Sequence, residues 1–253
     1  MPLISKPSIL CDSVKDAMSA PRTNILLESL PKRLREAILS ESKELPLPQR
    51  TSLQAQEEDP RYAYFLTSGV ASVVVGHSEG AACETLLIGR EGVTGALSLL
   101  GASVSPAECF IQVPGTGYQF PFPRLRELFS SSPELRTRVL ECVQQQAMST
   151  IQVAACNAAH EAEPRLARWL LMIQDRTEED SFQLTQEFLA QMLGARRTTV
   201  ALAAGSLQKS GLIEYSRGKV TILSREDLRS AACDCYGVTK RLLTELYGET
   251  IPS

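Results

Sequence analysis

After Pro133 the chain runs to about Asn157 without glycine or proline, and Leu135, Val139, Val143, Ala147, Ile151 and Ala154 recur every three to four residues. That spacing predicts one long helix with an apolar stripe. Two partners for the stripe stay open: a second copy of the same helix, or the β-rich segment that precedes it. Before it, between about Tyr62 and Phe122, the pattern changes to short β-rich runs: Tyr62 to Leu66, Ala71 to Val75, Glu84 to Ile88, Cys109 to Val113 and Tyr118 to Phe122. Glycine turns separate them, at Ser68-Gly69, Gly76 to Gly80, Gly89 to Gly95 and Pro114 to Gly117, which suggests a β-roll or sandwich. Residues 22 to 45 carry apolar positions at helical spacing, read as one or two short amphipathic helices that a Pro-rich break at Leu45-Pro-Leu-Pro48 ends.

Residues 163 to 176 open with a proline suited to a helix first turn and carry a broad apolar face, so a second domain begins there. An acidic linker, Thr177-Glu-Glu-Asp-Ser181, leads to Leu184-Thr-Gln-Glu-Phe-Leu-Ala-Gln-Met-Leu-Gly194. This reads as a short helix with Thr185 as N-cap, Phe188, Leu189, Met192 and Leu193 on its inner face, and Gly194 as its stop. A second helix follows at once, from Ala195 to about Gly211. Arg196, Arg197, Thr198 and Thr199 stand in its first turn, and Val200, Ala204 and Leu207 form an inward stripe. Next comes Leu212-Ile-Glu-Tyr-Ser-Arg-Gly-Lys-Val-Thr-Ile-Leu223, two short strands around a basic tip at Arg217 and Lys219.

Two helices joined by a tight glycine turn, with a basic hairpin after them, form a winged helix-turn-helix. In such a unit the second helix enters the major groove, where arginine bonds a guanine edge and threonine touches a base or a thymine methyl. Arginine at a helix N-terminus opposes the helix dipole, so an adjacent pair there implies an anionic partner. On these grounds Thr185, Gln186, Arg196, Arg197, Thr198, Thr199, Lys209, Arg217 and Lys219 are the candidate contacts to double-stranded DNA. Charge fits locally. The whole chain carries −3, yet Thr185 to Arg225 holds six basic residues against two acidic ones.

Other chemistry finds less support. The chain shows no P-loop, no GxSxG elbow and no HExxH, so it is not read as an enzyme. No apolar run reaches the roughly 20 residues of a membrane span. A cytoplasmic location is expected, with no membrane partner. Seven cysteines (Cys11, Cys83, Cys109, Cys142, Cys156, Cys233 and Cys235) are an odd, scattered set without a CxxC pair. Neither a disulfide framework nor a zinc ribbon follows, and no metal ligand or cofactor is assigned. Cys233-Asp-Cys235 is placed on the helix after the wing, where thiols two residues apart point about 200° away from each other. His77 and His160, each alone, are read as structural or exposed residues instead of haem ligands.

The order of β-roll, long helix and Leu184-Thr-Gln-Glu-Phe-Leu-Ala-Gln-Met-Leu-Gly-Ala-Arg-Arg-Thr-Thr-Val200 resembles the Crp/Fnr family of bacterial transcription regulators. The resemblance spans about Asn24 to Tyr247 and is strongest from Pro164 to Ile222. Tyr64-Phe-Leu-Thr-Ser-Gly-Val70 and Ile88-Gly-Arg-Glu-Gly92 resemble the family's strand and turn segments. It implies an α+β fold in three parts. These are a cyclic-nucleotide-binding-like β-roll (22–132), a dimerisation helix (133–160) and a winged helix-turn-helix domain (161–253). It further implies a homodimer formed through residues 133–158 that reads a two-fold symmetric operator, with RNA polymerase as a further partner. Arg197 matches the family's base-reading arginine. Thr198 stands where glutamate is frequent, and Leu202 replaces a later arginine, so the usual operator sequence is not implied.

The family's cyclic-nucleotide binders need a glycine turn, a glutamate for the ribose, and an arginine followed by a small hydroxyl residue. Here the matching stretch is Gly92-Val-Thr-Gly-Ala-Leu-Ser-Leu99, with Ala96 in place of the glutamate and Ala107-Glu108 near the place of the arginine. A carboxylate there opposes a phosphate. The effector is therefore unidentified and not expected to be cAMP, with Arg90, Gly92, Thr94 and Gly95 as the candidate pocket. Only Cys11 lies near the start, so the family's N-terminal iron–sulfur cluster is not expected. Two alternatives stand beside this reading: a constitutive regulator with a vestigial sensory domain, and a redox- or haem-responsive sensor.

Overall fold

The computed structural model describes residues 23–76, 82–101 and 104–247; Cys11 and His77, weighed above, lie outside them. Two short helices open the described chain, α1 (Ile25–Glu28) and α2 (Lys32–Glu41). Asn24 caps α1 by accepting from Leu27 N–H at 3.0 Å, and its amide donates to the carbonyls of Leu66 and Gly92. Seven strands follow: β1 (Lys43–Leu47), β2 (Ser52–Gln54), β3 (Tyr62–Leu66), β4 (Val70–Gly76), β5 (Ala82–Ile88), β6 (Ala107–Val113) and β7 (Gly115–Pro121). They form two antiparallel sheets, ordered β1-β7-β3 and β2-β6-β4-β5, which make the roll. The five expected strands are present. Leu45-Pro-Leu-Pro48 is not a break but largely part of β1, because an edge strand tolerates the N–H that Pro46 lacks. Phe122, expected at the end of a strand, instead begins α3 (Phe122–Ser131), whose early Pro123 suits a helix first turn.

The long helix α4 runs Pro133–Ala159, capped by Ser132. One face, with Leu135, Val139, Cys142 and Val143, closes the core that holds Phe65, Val93 and Phe120. The predicted stripe therefore divides. Leu135, Val139 and Val143 pack inside their own chain, because the roll offers an apolar surface on that side. Ile151 remains outside, 63 % exposed, as do Leu140 and Met148, two residues that the predicted stripe did not include.

Helix α5 (Ala162–Thr177) is buried along most of its length and lies between the roll and the C-terminal helices and strands. Those are β8 (Ser181–Gln183), α6 (Gln186–Leu193), α7 (Arg197–Lys209), β9 (Ile213–Ser216), β10 (Lys219–Ile222), α8 (Arg225–Ala231) and α9 (Cys235–Tyr247). A single apolar core passes from Val70, Val74 and Leu87 of the roll through Trp169 and Leu170 to Leu189 and Val200. Cys233-Asp-Cys235 does not lie on one helix. Cys233 precedes α9 and Cys235 begins it, so the helical 200° separation does not apply, and both thiols are buried.

Candidate nucleic-acid interface

The hydroxyl of Thr185 accepts from Phe188 N–H at 3.2 Å and so starts α6. Gly194 ends it in the left-handed region (φ 55°), where a side chain is strained, and a Cβ there would also come within 2.9 Å of Cys83 Sγ on β5. Two residues later α7 begins with Arg196 at its cap position and no side-chain cap. Its first backbone N–H groups are thus left to whatever approaches from outside, beside the exposed side chains of Arg196, Arg197, Thr198 and Thr199. The inner face is committed: Val200, Ala203, Ala204 and Leu207 are buried in the shared core.

Strands β9 and β10 meet through Arg217 (φ 50°) and Gly218 (φ 77°), two consecutive left-handed residues that match a tight hairpin turn. Three bonds set the wing against the helices. Gly218 O accepts from Leu184 N–H at 2.6 Å, Tyr215 O–H donates to Leu184 O at 3.0 Å, and Tyr215 N–H donates to Gln208 Oε1 of α7 at 2.8 Å. Strand β8, made of the last residue of the acidic linker and the two that follow it, adds a third strand by pairing with β10. The result is an open cleft of about 360 Å³ lined by Thr185, Gln186, Arg197, Tyr215, Arg217 and Gly218.

Four of the nine predicted contacts, Thr185, Gln186, Arg197 and Arg217, therefore share one cleft. The other five are exposed around it or farther along α7 and the wing. Pattern reasoning missed Tyr215, which reads as an ordinary strand residue; burial lifts its phenol above the usual range, and neighbouring Arg197 opposes that lift. Leu202, noted in sequence in the place of a later arginine, projects from α7 with 76 % of its surface exposed.

Residues 164–231 match the Crp-like helix-turn-helix domain. A transcriptional regulator of the Crp/Fnr family from Eubacterium rectale superposes with a TM-score of 0.66 at 16% identity, covering 81% of this chain and 96% of that one. The chain therefore carries a Crp-like helix-turn-helix domain, and its overall fold is the one that structure shows. A second structure of the fold, the c-di-GMP responsive global regulator CLP of Xanthomonas campestris, gives a TM-score of 0.61 at 19% identity over 75% of this chain and 97% of its own. In sequence, 121 residues are 26% identical to Electron transport regulator A of Shewanella oneidensis, which is 45% of this chain. The match spans about half, 48%, of that curated relative.

In the roll the predicted effector residues are engaged internally. The Arg90 guanidinium lies 3.7 Å from the Glu178 carboxylate, and its carbonyl accepts from Ile25 N–H. The Gly92 carbonyl accepts from Asn24, and a Cβ on Gly92 would press on Ile88 and Gln146. Thr94 is buried, exchanging bonds with Tyr64 through its hydroxyl and its own N–H. Gly95 turns the chain in the left-handed region (φ 72°) before a short 3₁₀ helix, Ala96–Leu99. Among the described residues no helix is long and apolar enough to cross a membrane.

Proposed function

We propose that the chain is a homodimeric transcription regulator that reads a two-fold symmetric DNA operator through α7 and the wing. The observation that carries the reading is the cleft where Arg197, at the uncapped start of α7, meets Arg217 at the wing tip. In this reading α7 lies in the major groove. Arg197 bonds a guanine edge, Thr198 and Thr199 read neighbouring bases or phosphate, and exposed Leu202 rests on a thymine methyl. Arg196, Lys209, Arg217, Lys219, Thr185 and Gln186 bind the backbone on either side and fix the register.

Exposed Leu140, Met148 and Ile151 on α4 support the dimer, since an apolar stripe on a helix calls for a partner. A two-fold axis along α4 then presents two α7 helices to half-sites about one helical turn apart. The glycine turn after β5 does not favour a cyclic nucleotide, because Arg90 is paired with Glu178 and Thr94 with Tyr64. That observation favours a signal entering elsewhere, or a roll that no longer senses one. The RNA polymerase contact and the cytoplasmic location belong to the same proposal.

The test is selection of bound duplexes from a random DNA library at about 150 mM salt, where non-specific binding is strongly screened. A palindromic motif is expected. Arg197→Ala should cost about 1–3 kcal/mol and relax one position in each half-site, whereas Lys219→Ala should weaken all sequences alike and lower the salt slope. Binding without a motif, or an Arg197→Ala variant with unchanged sequence preference, overturns the base-reading assignment.

A further inference from the structure

Three cysteines and a histidine that are distant in sequence meet where α4 ends. Cys156 and His160 stand four residues apart, so both face the same side of the end of α4. Cys233 and Cys235 arrive from the turn between α8 and α9. The four donor atoms lie within 4.8 Å of one another. Cys156 Sγ is 3.5 Å from Cys233 Sγ, and Cys235 Sγ is 3.6 Å from His160 Nδ1. The three cysteines form a small buried cluster of their own, separate from the larger apolar cores.

We propose that Cys156, His160, Cys233 and Cys235 bind one tetrahedral, thiophilic divalent cation of the zinc class, fastening the start of α9 to the end of α4. Zinc–sulfur bonds of about 2.3 Å in a tetrahedron place ligand sulfurs about 3.8 Å apart, so this set closes on one ion with small side-chain adjustments. A polynuclear iron–sulfur cluster spreads its thiolates over several irons and needs wider spacing than these donors have. Three thiolates and an imidazole favour a soft tetrahedral ion over calcium or magnesium, and four protein ligands make the site a closed, structural one.

The surroundings agree. Asp234 Oδ1 lies 3.6 Å from His160 Nε2, so a proton held on Nε2 leaves the Nδ1 lone pair directed at the sulfurs. Gln152 Nε2 donates to Cys235 Sγ at 3.0 Å, a bond suited to a thiolate. Arg168 is 2 % exposed, and its Nε has no hydrogen-bond partner. Its charge acts on the sulfurs of both Cys156 and Cys233. Three thiolates around a divalent ion leave one net negative charge, which this buried guanidinium offsets.

Because α4 supplies the proposed dimer contact and α8–α9 follow the wing, the ion would link the two. Its effect on operator affinity rests on the DNA-binding reading; the metal site does not. Full-length protein, stripped by chelator and fully reduced under anaerobic conditions, is titrated with cobalt(II). One equivalent per chain should produce intense visible ligand-field bands and a thiolate-to-cobalt charge-transfer band, both abolished by zinc. Zinc should also raise the Tm of the stripped protein, as a ligand bound only by the folded state must. His160→Ala, at a partly exposed position, and Cys235→Ala should each weaken cobalt binding by about 10-fold or more, whereas Cys83→Ser, outside the cluster, should leave the spectrum unchanged. No uptake by folded, reduced wild-type protein overturns the proposal, as do bands that persist in the His160→Ala/Cys235→Ala double variant.

Discussion

Glu84 is a carboxylic acid in an apolar setting, at the contact between β5 and α5. Trp169 Nε1 donates to its Oε1 at 2.7 Å and Ser72 O–H to its Oε2 at 2.6 Å, yet burial outweighs both bonds and pushes its pKa up to about 7. In the unfolded chain the group titrates near 4.5. Between those values the folded state holds the extra proton, so this contribution to stability is full below about pH 4.5 and is lost as pH rises through about 7. The loss should be about 3 kcal/mol. Denaturation at about pH 5 and about pH 8, followed by the emission of Trp169, the single tryptophan, measures it. Glu84→Gln, whose carbonyl still accepts from Trp169 and whose amide can donate to Ser72 Oγ while Ser72 donates to Gln112, removes the charge and should flatten the slope; an equal slope in the variant removes Glu84 as its source. Nothing near Glu84 in sequence announces this environment, because its partners come from Trp169 and Ser72. The placement of Arg196 to Thr199 at the exposed start of α7 was legible for the opposite reason: cap and turn are neighbours along the chain. Cys156 and His160 lie some 75 positions from Cys233 and Cys235, and assigning the latter pair to a helix hid the convergence.

At the scale of elements, legibility followed periodicity. The five strands with alternating or continuous apolar runs, helix α4 and the pair α6–α7 were all readable. Strand β1 was concealed by Pro46 and helix α3 by Pro123, prolines that an edge strand and a helix first turn accommodate. Helix α4 shows what periodicity leaves out: its stripe exists, but pattern alone does not reveal which part the roll covers. The uncovered part yields a prediction. Ile151 is 63 % exposed on a helix whose opposite face is already packed. In a two-fold dimer each such residue counts twice, and burying one isoleucine contributes about 1.5–3 kcal/mol. Ile151→Glu should therefore raise the dimer dissociation constant by about 100-fold or more. Sedimentation equilibrium reads the assembly and circular dichroism the fold. A variant that remains dimeric at the same concentration places the interface elsewhere.

The whole molecule is organised around α5, which belongs by sequence to the helix-turn-helix domain and packs against the roll. Besides the Trp169–Glu84 bond, Arg176 Nε of α5 meets Glu91 of the roll at 2.7 Å, with side chains 6 % and 9 % exposed. Arg176 also donates to Met172 O, so the guanidinium is held from both sides. Phe110 of β6 and Phe188 of α6 stack edge to face, with ring centres 6.3 Å apart, across the same junction. These contacts join one apolar core, so the roll and the helix-turn-helix should unfold together. Glu91→Gln tests this, because it leaves a buried guanidinium without a counter-charge and should cost about 3–5 kcal/mol. If the core is shared, Trp169 emission and far-ultraviolet circular dichroism should report one coincident transition at lower denaturant in the variant. Two separated transitions, with only one displaced, would instead show two units that merely touch. A shared core also limits how a signal travels: anything that shifts the end of α4 or the turn after β5 must move α5, and α5 carries α6 and α7 with it.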